Sequence, residues 1–429
     1  MQTRTIGLWE STALVVGNMI GSGIFLLPAA LAAFGGISIL GWLFSAAGAL
    51  CLARLFGYLS QELPQTGGPY AYSRKGLGDF AGFLVGWGYW ISICSGNAAI
   101  TTALVSYLSA FFPILETQRL LAVAAGLALI WGLTWVNARG VKEAAAVQVV
   151  TTILKVAPIV LLAIVGLFYT DWSHFVPFNR SGQSAFSAVT ATATLTLWAF
   201  LGMESATVPA GNVRNPERTI PQATLLGTLI TILVNIAGTV AVMGLVPPEV
   251  LADSPAPFAD AAARIWGPVA HQLVAAAAVV ATFGALNGWI LMQGQVPMAV
   301  AADRLFPAIF ARQGKSGAPV AGLLISSVLV SVVMPMYFTR GFVAAFQFII
   351  LLSTMTVLVP YVFSAAAYAV LVFQKNKLLR GRVVLRLVVT VLAFAFSVWA
   401  IAGSGMEPVY WGFLLLLAGI PVYVWVKRG

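Results

Sequence analysis

The chain has 429 residues, of which 60% are hydrophobic and only 8% charged, against about 25% charged in a typical soluble domain. With a mean hydropathy of +0.94 it lacks the polar side chains needed to cover a water-facing surface, which excludes a soluble enzyme, a disordered regulator and a nucleic-acid-binding domain. The net charge of +10 does not reverse the last exclusion. Lys and Arg lie in short gaps between apolar runs, as in Arg139/Lys142, Arg214/Arg218 and Lys375/Lys377/Arg380/Arg382; this is the arrangement of cytoplasmic loops, not of one basic face.

A short basic start at Arg4 precedes the first apolar run, which continues past Phe25 to about Phe34. That is longer than the 7–15 residues of a signal peptide core, so the run reads as a retained span. A span needs about 20 mostly apolar residues. With Gly, Pro and charge as punctuation, twelve are expected, near 9–34, 38–61, 81–112, 119–138, 145–169, 185–211, 222–246, 267–301, 318–338, 341–372, 385–403 and 409–426. All are expected to be helices, because an open sheet leaves backbone groups unpaired in lipid. With both termini inside, 18 of the 23 basic residues fall on the inner side. Four (Arg119, Arg180, Arg264 and Arg340) fall outside, and Lys155 remains in mid-span. That bias fixes a cytoplasmic location for both ends.

Two spans are interrupted near their middle. The first carries Gly17 and then Gly21-Ser22-Gly23; the sixth carries Gly202 and a carboxylate, Glu204, at membrane depth. Glycine weakens a helix interior by about 1 kcal/mol. Close helix packing would also use such small residues. A break in the helix is the functional reading, since non-helical backbone at membrane depth survives only where it faces protein or a wet cavity. The N–H groups that begin a half-helix suit a carboxylate, and the carbonyls that end one suit an ammonium group or a cation. Spans one and six are five apart, the spacing of a five-plus-five inverted repeat with paired interruptions at the substrate site.

The residues around these breaks resemble the amino acid–polyamine–organocation transporters. Asn18-Met-Ile-Gly21-Ser22-Gly23-Ile-Phe-Leu-Leu-Pro28 is similar to their first helix, and Thr66-Gly-Gly-Pro-Tyr70-Ala-Tyr72 to the loop after the second. Leu197-Trp198-Ala-Phe-Leu-Gly-Met-Glu204-Ser205-Ala and Asn215-Pro-Glu-Arg218 are similar to helix 6 and its following loop, and Val359-Pro360-Tyr361 to helix 10. The nearest types are the bacterial arginine/agmatine and ornithine/putrescine antiporters. The resemblance implies an all-α integral membrane protein of twelve transmembrane helices. A ten-helix inverted-repeat core would span 1–372, with repeat one about 9–169 and repeat two about 185–372. Helices 11 and 12, in 373–429, would lie outside it as a possible homodimer interface. It further implies that Ser22 and Gly23, beside Asn18 and Gly21, hold a substrate carboxylate, that Trp198 lies over the substrate side chain, and that Asn97, Trp289 and Ser353 line the side-chain pocket or close it from outside. Tyr89, Glu204 and Tyr361 match an inner gate, and Tyr70 a position linked to pH response. Ile100 stands where the arginine type has methionine, Leu201 replaces another branched aliphatic residue, and Ser92 and Ile93 also differ. Lys155 differs most, and several proton-coupled or sodium-independent members carry a helix 5 lysine.

Glu204 is the one acid deep in a span; it either titrates during transport or ties a gate to a tyrosine. Lys155 lies too deep for easy snorkelling and is either a structural tie to carbonyls or a titrating substitute for a bound sodium ion. Trp198 and Trp289 serve as packing or as cation–π faces. Cys51 and Cys94 lie in apolar runs and read as core residues, and His174 and His271 are far apart. Nothing therefore calls for a metal or cofactor. The functional expectation is a non-enzymatic secondary transporter in the bacterial inner membrane, an antiporter of a cationic amino acid against its amine or another amino acid. A neutral amino acid transporter is the alternative. A channel would need a selectivity lining repeated around a pore, a membrane enzyme a polar cluster, and an ATP-driven pump a nucleotide motif; none is seen. The expected partners are the small-molecule substrate, membrane lipid and a second copy of the chain.

Overall fold

The computed structural model describes residues 6–65, 67–139, 141–208, 210–314, 317–337, 342–375 and 381–428. Of the residues singled out above, Arg4, Thr66, Arg340, Lys377 and Arg380 lie outside them, as do the side chains of Ser22 and Lys142. The helices are α1 (Leu8–Met19), α2 (Ser22–Ala32), α3 (Ser38–Glu62), α4 (Pro69–Leu77), α5 (Asp79–Leu108), α6 (Ile114–Thr117), α7 (Arg119–Arg139), α8 (Val141–Phe168) and α9 (Ala185–Leu197). They continue with α10 (Pro216–Leu245), α11 (Pro248–Ala252), α12 (Pro257–Trp266), α13 (Pro268–Ala302), α14 (Val320–Tyr337), α15 (Phe342–Lys375), α16 (Gly381–Gly403), α17 (Met406–Leu417) and α18 (Gly419–Arg428). Among the described residues there is no strand, only an isolated parallel bridge between Ile6 and Val213.

Among the described residues ten stretches are long and apolar enough to cross a membrane, from Leu8–Ala32 to Met406–Arg428. At the expected fifth and ninth positions stand α8 and α14, whose apolar described stretches, Leu154–Phe168 and Val320–Pro335, are shorter. The seventh begins earlier than expected, at Pro216 rather than residue 222. Proline is no stop there, because the first helical position has no N–H partner to lose. The expected loop at 247–266 folds into α11 and α12, whose Leu251, Phe258, Ala259 and Ala262 are buried. The twelfth span is divided at Ala418: the Gly419 that follows packs so closely on Trp87 that a Cβ would come within 2.8 Å of its ring.

The central element is α5, buried at every position from Ser92 to Tyr107 and packed on α13 and α15. At the other extreme, 28% and 11% of the most apolar windows of α16 and of α17–α18 are buried, against 89% for α5. Those helices form the periphery and present Leu385, Val391, Phe413 and Trp425 outward, a surface that only lipid or another protein can cover.

Candidate functional site

The first interruption falls at Ile20 and Gly21, where the backbone leaves the helical region (φ −81°, ψ 86° and φ −129°, ψ −136°). Gly21 is then the N-cap of α2, without a side-chain cap, so Ser22, Gly23 and Ile24 contribute the first N–H groups of a new helix. Such groups have no partner within the helix and carry its positive end. On the other side of the break, the Gly21 N–H turns to the Met19 carbonyl (3.1 Å). The Gly17 carbonyl, at the negative end of α1, accepts a hydrogen bond from the buried Lys155 ammonium of α8. The lysine is thus held by the break itself.

The second interruption is longer. After α9 the chain makes a 3-10 turn at Trp198–Phe200, extends at Leu201 (φ −67°, ψ 139°), turns left-handed at Gly202 (φ 100°, ψ 0°) and continues as a 3-10 turn at Met203–Thr207. Only glycine adopts the Gly202 conformation without strain. An added Cβ there would also lie 3.1 Å from the Asn18 Cβ. The two interruptions touch: Asn18 Nδ2 donates to Ser205 Oγ (2.8 Å), which donates to the Gly202 carbonyl (2.5 Å).

Between them lies a cavity lined by Asn18, Met19, Gly21, Gly23, Ile100, Trp198, Leu201 and Trp289. Its volume of about 20 Å³ has room for about one water. The Trp198 indole packs close to Gly23 and Gly96 beside it. A Cβ on Gly23 would meet its Cδ1 at 2.9 Å, and one on Gly96 its Cη2 at 3.1 Å. No carboxylate is among the lining residues, so a cation here would meet indole faces and carbonyl oxygens.

Beside the second interruption, the buried Glu204 carboxylate accepts three hydrogen bonds, from Tyr89 Oη (2.7 Å), Tyr361 Oη (2.6 Å) and the Gly202 N–H (3.2 Å). These donors meet the desolvation cost that a lone carboxylate would incur. They also join α5, α15 and the broken segment through one group. Serines 92 and 353 reinforce the α5–α15 contact reciprocally: Ser92 Oγ donates to the Ser353 carbonyl (3.1 Å) and Ser353 Oγ to the Ser92 carbonyl (2.8 Å).

Tyr70, on α4, donates its hydroxyl to Asp303 Oδ2 (2.7 Å). Arg74 bridges Asp303 (2.6 Å) and Asp79 (3.0 Å), and Lys427 pairs with Asp79 (2.9 Å). Burial, and then the Asp303 carboxylate, push the Tyr70 phenol above its ordinary range, so it stays protonated at physiological pH. Any pH response at Tyr70 therefore passes through the hydrogen bond it donates, not through loss of its own proton.

Of the residues singled out from the sequence, Asn18, Gly21, Gly23, Ile100, Trp198, Leu201 and Trp289 meet around one cavity, and Tyr89, Glu204 and Tyr361 meet around one carboxylate. Asn97 and Ser353 are not among the cavity-lining residues; both are buried and tied to neighbours, Asn97 to Gln293 and Ser353 to Ser92. Sequence reasoning passed over Met19, Gln293 and Asp303. Gln293 is an amide in mid-span, the kind of signal that drew notice to Lys155. Asp303 follows α13 directly and reads as an ordinary loop acid.

The sequence profile of amino acid permeases matches residues 6–424. A putative arginine/ornithine antiporter of Bacillus subtilis (strain 168) is 35% identical over 463 aligned positions, covering 100% of this chain and 98% of that protein. A cadaverine/lysine antiporter of Escherichia coli (strain K12) is 39% identical over 332 positions, covering 77% of this chain and 74% of its own length. An arginine/ornithine antiporter of Pseudomonas aeruginosa is 31% identical over 446 positions, covering 99% and 92%. With the profile matched along nearly its whole length, the chain is a multi-pass membrane protein that belongs to the amino acid permease family, within the amino acid–polyamine–organocation superfamily.

Proposed function

We propose that the chain is a secondary antiporter that exchanges a cationic, arginine-like amino acid for its amine or for another amino acid by alternating access. The observation that carries this reading is the meeting of two helix interruptions at one small cavity, with Trp198 and Trp289 in its wall. The relatives' names, arginine/ornithine and cadaverine/lysine antiporters, support it. The substrate carboxylate would sit at the first turn of α2, at Ser22 and Gly23, and its cationic end under Trp198 and Trp289. A cavity of about 20 Å³ is too small for an amino acid, so its wall, Trp198 included, would move as substrate enters. The Glu204 layer would be an inner gate, and the Tyr70–Asp303–Arg74 layer a second closure towards the cytoplasm.

The proposal includes twelve spans, with a five-plus-five inverted repeat over 1–372, helices 11 and 12 in 373–429 as a homodimer face, and both termini cytoplasmic in the inner membrane. The ion pairs agree with the expected grouping of loops on the two sides. Arg180 pairs with Glu249 (2.7 Å) between two loops expected outside, while Lys375 pairs with Glu62 (2.6 Å) and Lys427 with Asp79 (2.9 Å) between groups expected inside. The test is uptake of radiolabelled arginine, ornithine, lysine or alanine into proteoliposomes preloaded with arginine, agmatine, cadaverine or nothing, with and without a proton gradient. Uptake of a cationic amino acid driven by an internal cationic partner is expected. Uptake of alanine alone would replace the reading with a neutral amino acid transporter.

A further inference from the structure

A chain of side-chain hydrogen bonds runs from the lipid-side helix α7 to the edge of the cavity, and its polarity is fixed from one end. Thr134 Oγ1 lies 2.7 Å from the Ile130 carbonyl and 2.6 Å from Ser327 Oγ on α14. A backbone carbonyl can only accept, so the single Thr134 proton goes to Ile130, and Ser327 must donate to Thr134. Ser327 Oγ then accepts from Gln293 Nε2 on α13 (2.7 Å). That turns Gln293 Oε1 towards α5, where it accepts from Asn97 Nδ2 (2.7 Å). The last consequence is that Asn97 keeps Oδ1 on its other side. This oxygen is buried and has no hydrogen-bond partner in the protein. Asn97 lies one turn from Ile100 on α5, and Gln293 one turn from Trp289 on α13; Ile100 and Trp289 both line the cavity.

We infer that Gln293, held by Ser327 and Thr134, is a positioning residue that locks the Asn97 amide with its carbonyl oxygen presented to the substrate, making the side-chain end of the site an acceptor for an ammonium or guanidinium group. The inference rests on the cationic reading of the site and adds a buried acceptor to the polar atoms that Asn18 brings to the lining. A buried acceptor left unpaired costs free energy that a cationic donor recovers and an apolar chain end does not. Selectivity for cationic over neutral side chains is therefore set partly by an amide that touches no substrate. Met at position 293 keeps the side chain's length and removes both polar ends. It frees Asn97 to present either its oxygen or its NH2 group.

The experiment is inhibition of radiolabelled substrate exchange in proteoliposomes by lysine and by norleucine, which has an apolar end in place of the ammonium group. Gln293→Met is expected to weaken lysine roughly tenfold, the order of one hydrogen bond to a charged donor, while norleucine changes less than about twofold. Ser327→Ala, which loosens Gln293 without touching it, shifts the lysine-to-norleucine ratio in the same direction by a smaller factor, and carries the test if Gln293→Met does not fold. Adding Asn97→Asp to Gln293→Met restores the preference for lysine, because a carboxylate accepts from either oxygen and needs no orienting partner. Equal weakening of lysine and norleucine in both single variants, or no recovery in the double variant, would overturn the inference and leave Gln293 as packing. Failure of the cationic reading looks different: the wild type itself would be inhibited by norleucine and not by lysine, and the inference would fall with it.

Discussion

Trp198 lies between α2 and α5 beside the cavity, so close that a Cβ on Gly23 would meet its Cδ1 at 2.9 Å and one on Gly96 its Cη2 at 3.1 Å. A guanidinium or ammonium group over its indole face gains about 0.5–2 kcal/mol. Trp198→Leu is therefore expected to weaken arginine or lysine by about two- to thirtyfold and alanine by much less, read as competition in exchange assays. Equal losses for charged and neutral ligands would make Trp198 a packing residue alone. Lys155 is the other residue whose type decides its role. Its ammonium occupies the carbonyl end of α1, where a bound cation would otherwise be attracted. Transport is expected to be independent of sodium, and Lys155→Ala to change the shape of the uptake-against-pH profile in a protein that still folds. A lowered melting temperature with an unchanged profile would reduce Lys155 to a tie. Lys155, Glu204 and the tryptophans were legible in the sequence because charge and large aromatic rings at membrane depth are conspicuous. Their partners were not: that Glu204 would accept from Tyr89 and Tyr361 depends on α5 and α15 lying side by side, which no local pattern of residues encodes.

At the scale of elements, glycine placement announced both interruptions, but not their form. The first proved to be a two-residue break with a helix on each side, and the Gly21-Ser22-Gly23 triplet largely begins the second helix instead of disrupting it. The other has no second α-helix among its described residues, only 3-10 turns from Trp198 to Thr207. Gly202 joins those turns with a left-handed backbone (φ 100°). Gly202→Ala is expected to destabilise the protein by about 1–2 kcal/mol from backbone strain alone, more with the approach of Asn18 to 3.1 Å. The effect should register as a fall in melting temperature in detergent; a variant as stable as the wild type would mean that the segment relaxes freely. The unforeseen helices α11 and α12 have a related cause. Their proline-led starts and short apolar faces read as loop punctuation until α2 and α13 are there to pack against them.

For the whole molecule, composition alone settled the solvent, since 8% charge leaves only lipid as the surroundings of most of the chain. Where the helices lie was readable from run length; how they cluster was not, because one apolar face looks like another when lipid is the alternative to protein. The burial of α5 against the exposure of α16, α17 and α18 sorts the chain into a packed centre and a periphery, and the cavity lies in the centre. As the proposed substrate site, this cavity would be reached alternately from the two sides of the membrane. The direct test places a single cysteine at its wall, Leu201→Cys, in a chain whose Cys51 and Cys94 are replaced by serine. A membrane-impermeant thiol reagent is then applied to right-side-out and inside-out vesicles with and without arginine or lysine. Labelling from each side that substrate suppresses is expected. Labelling that substrate leaves unchanged, or none from either side while exchange continues, would contradict it.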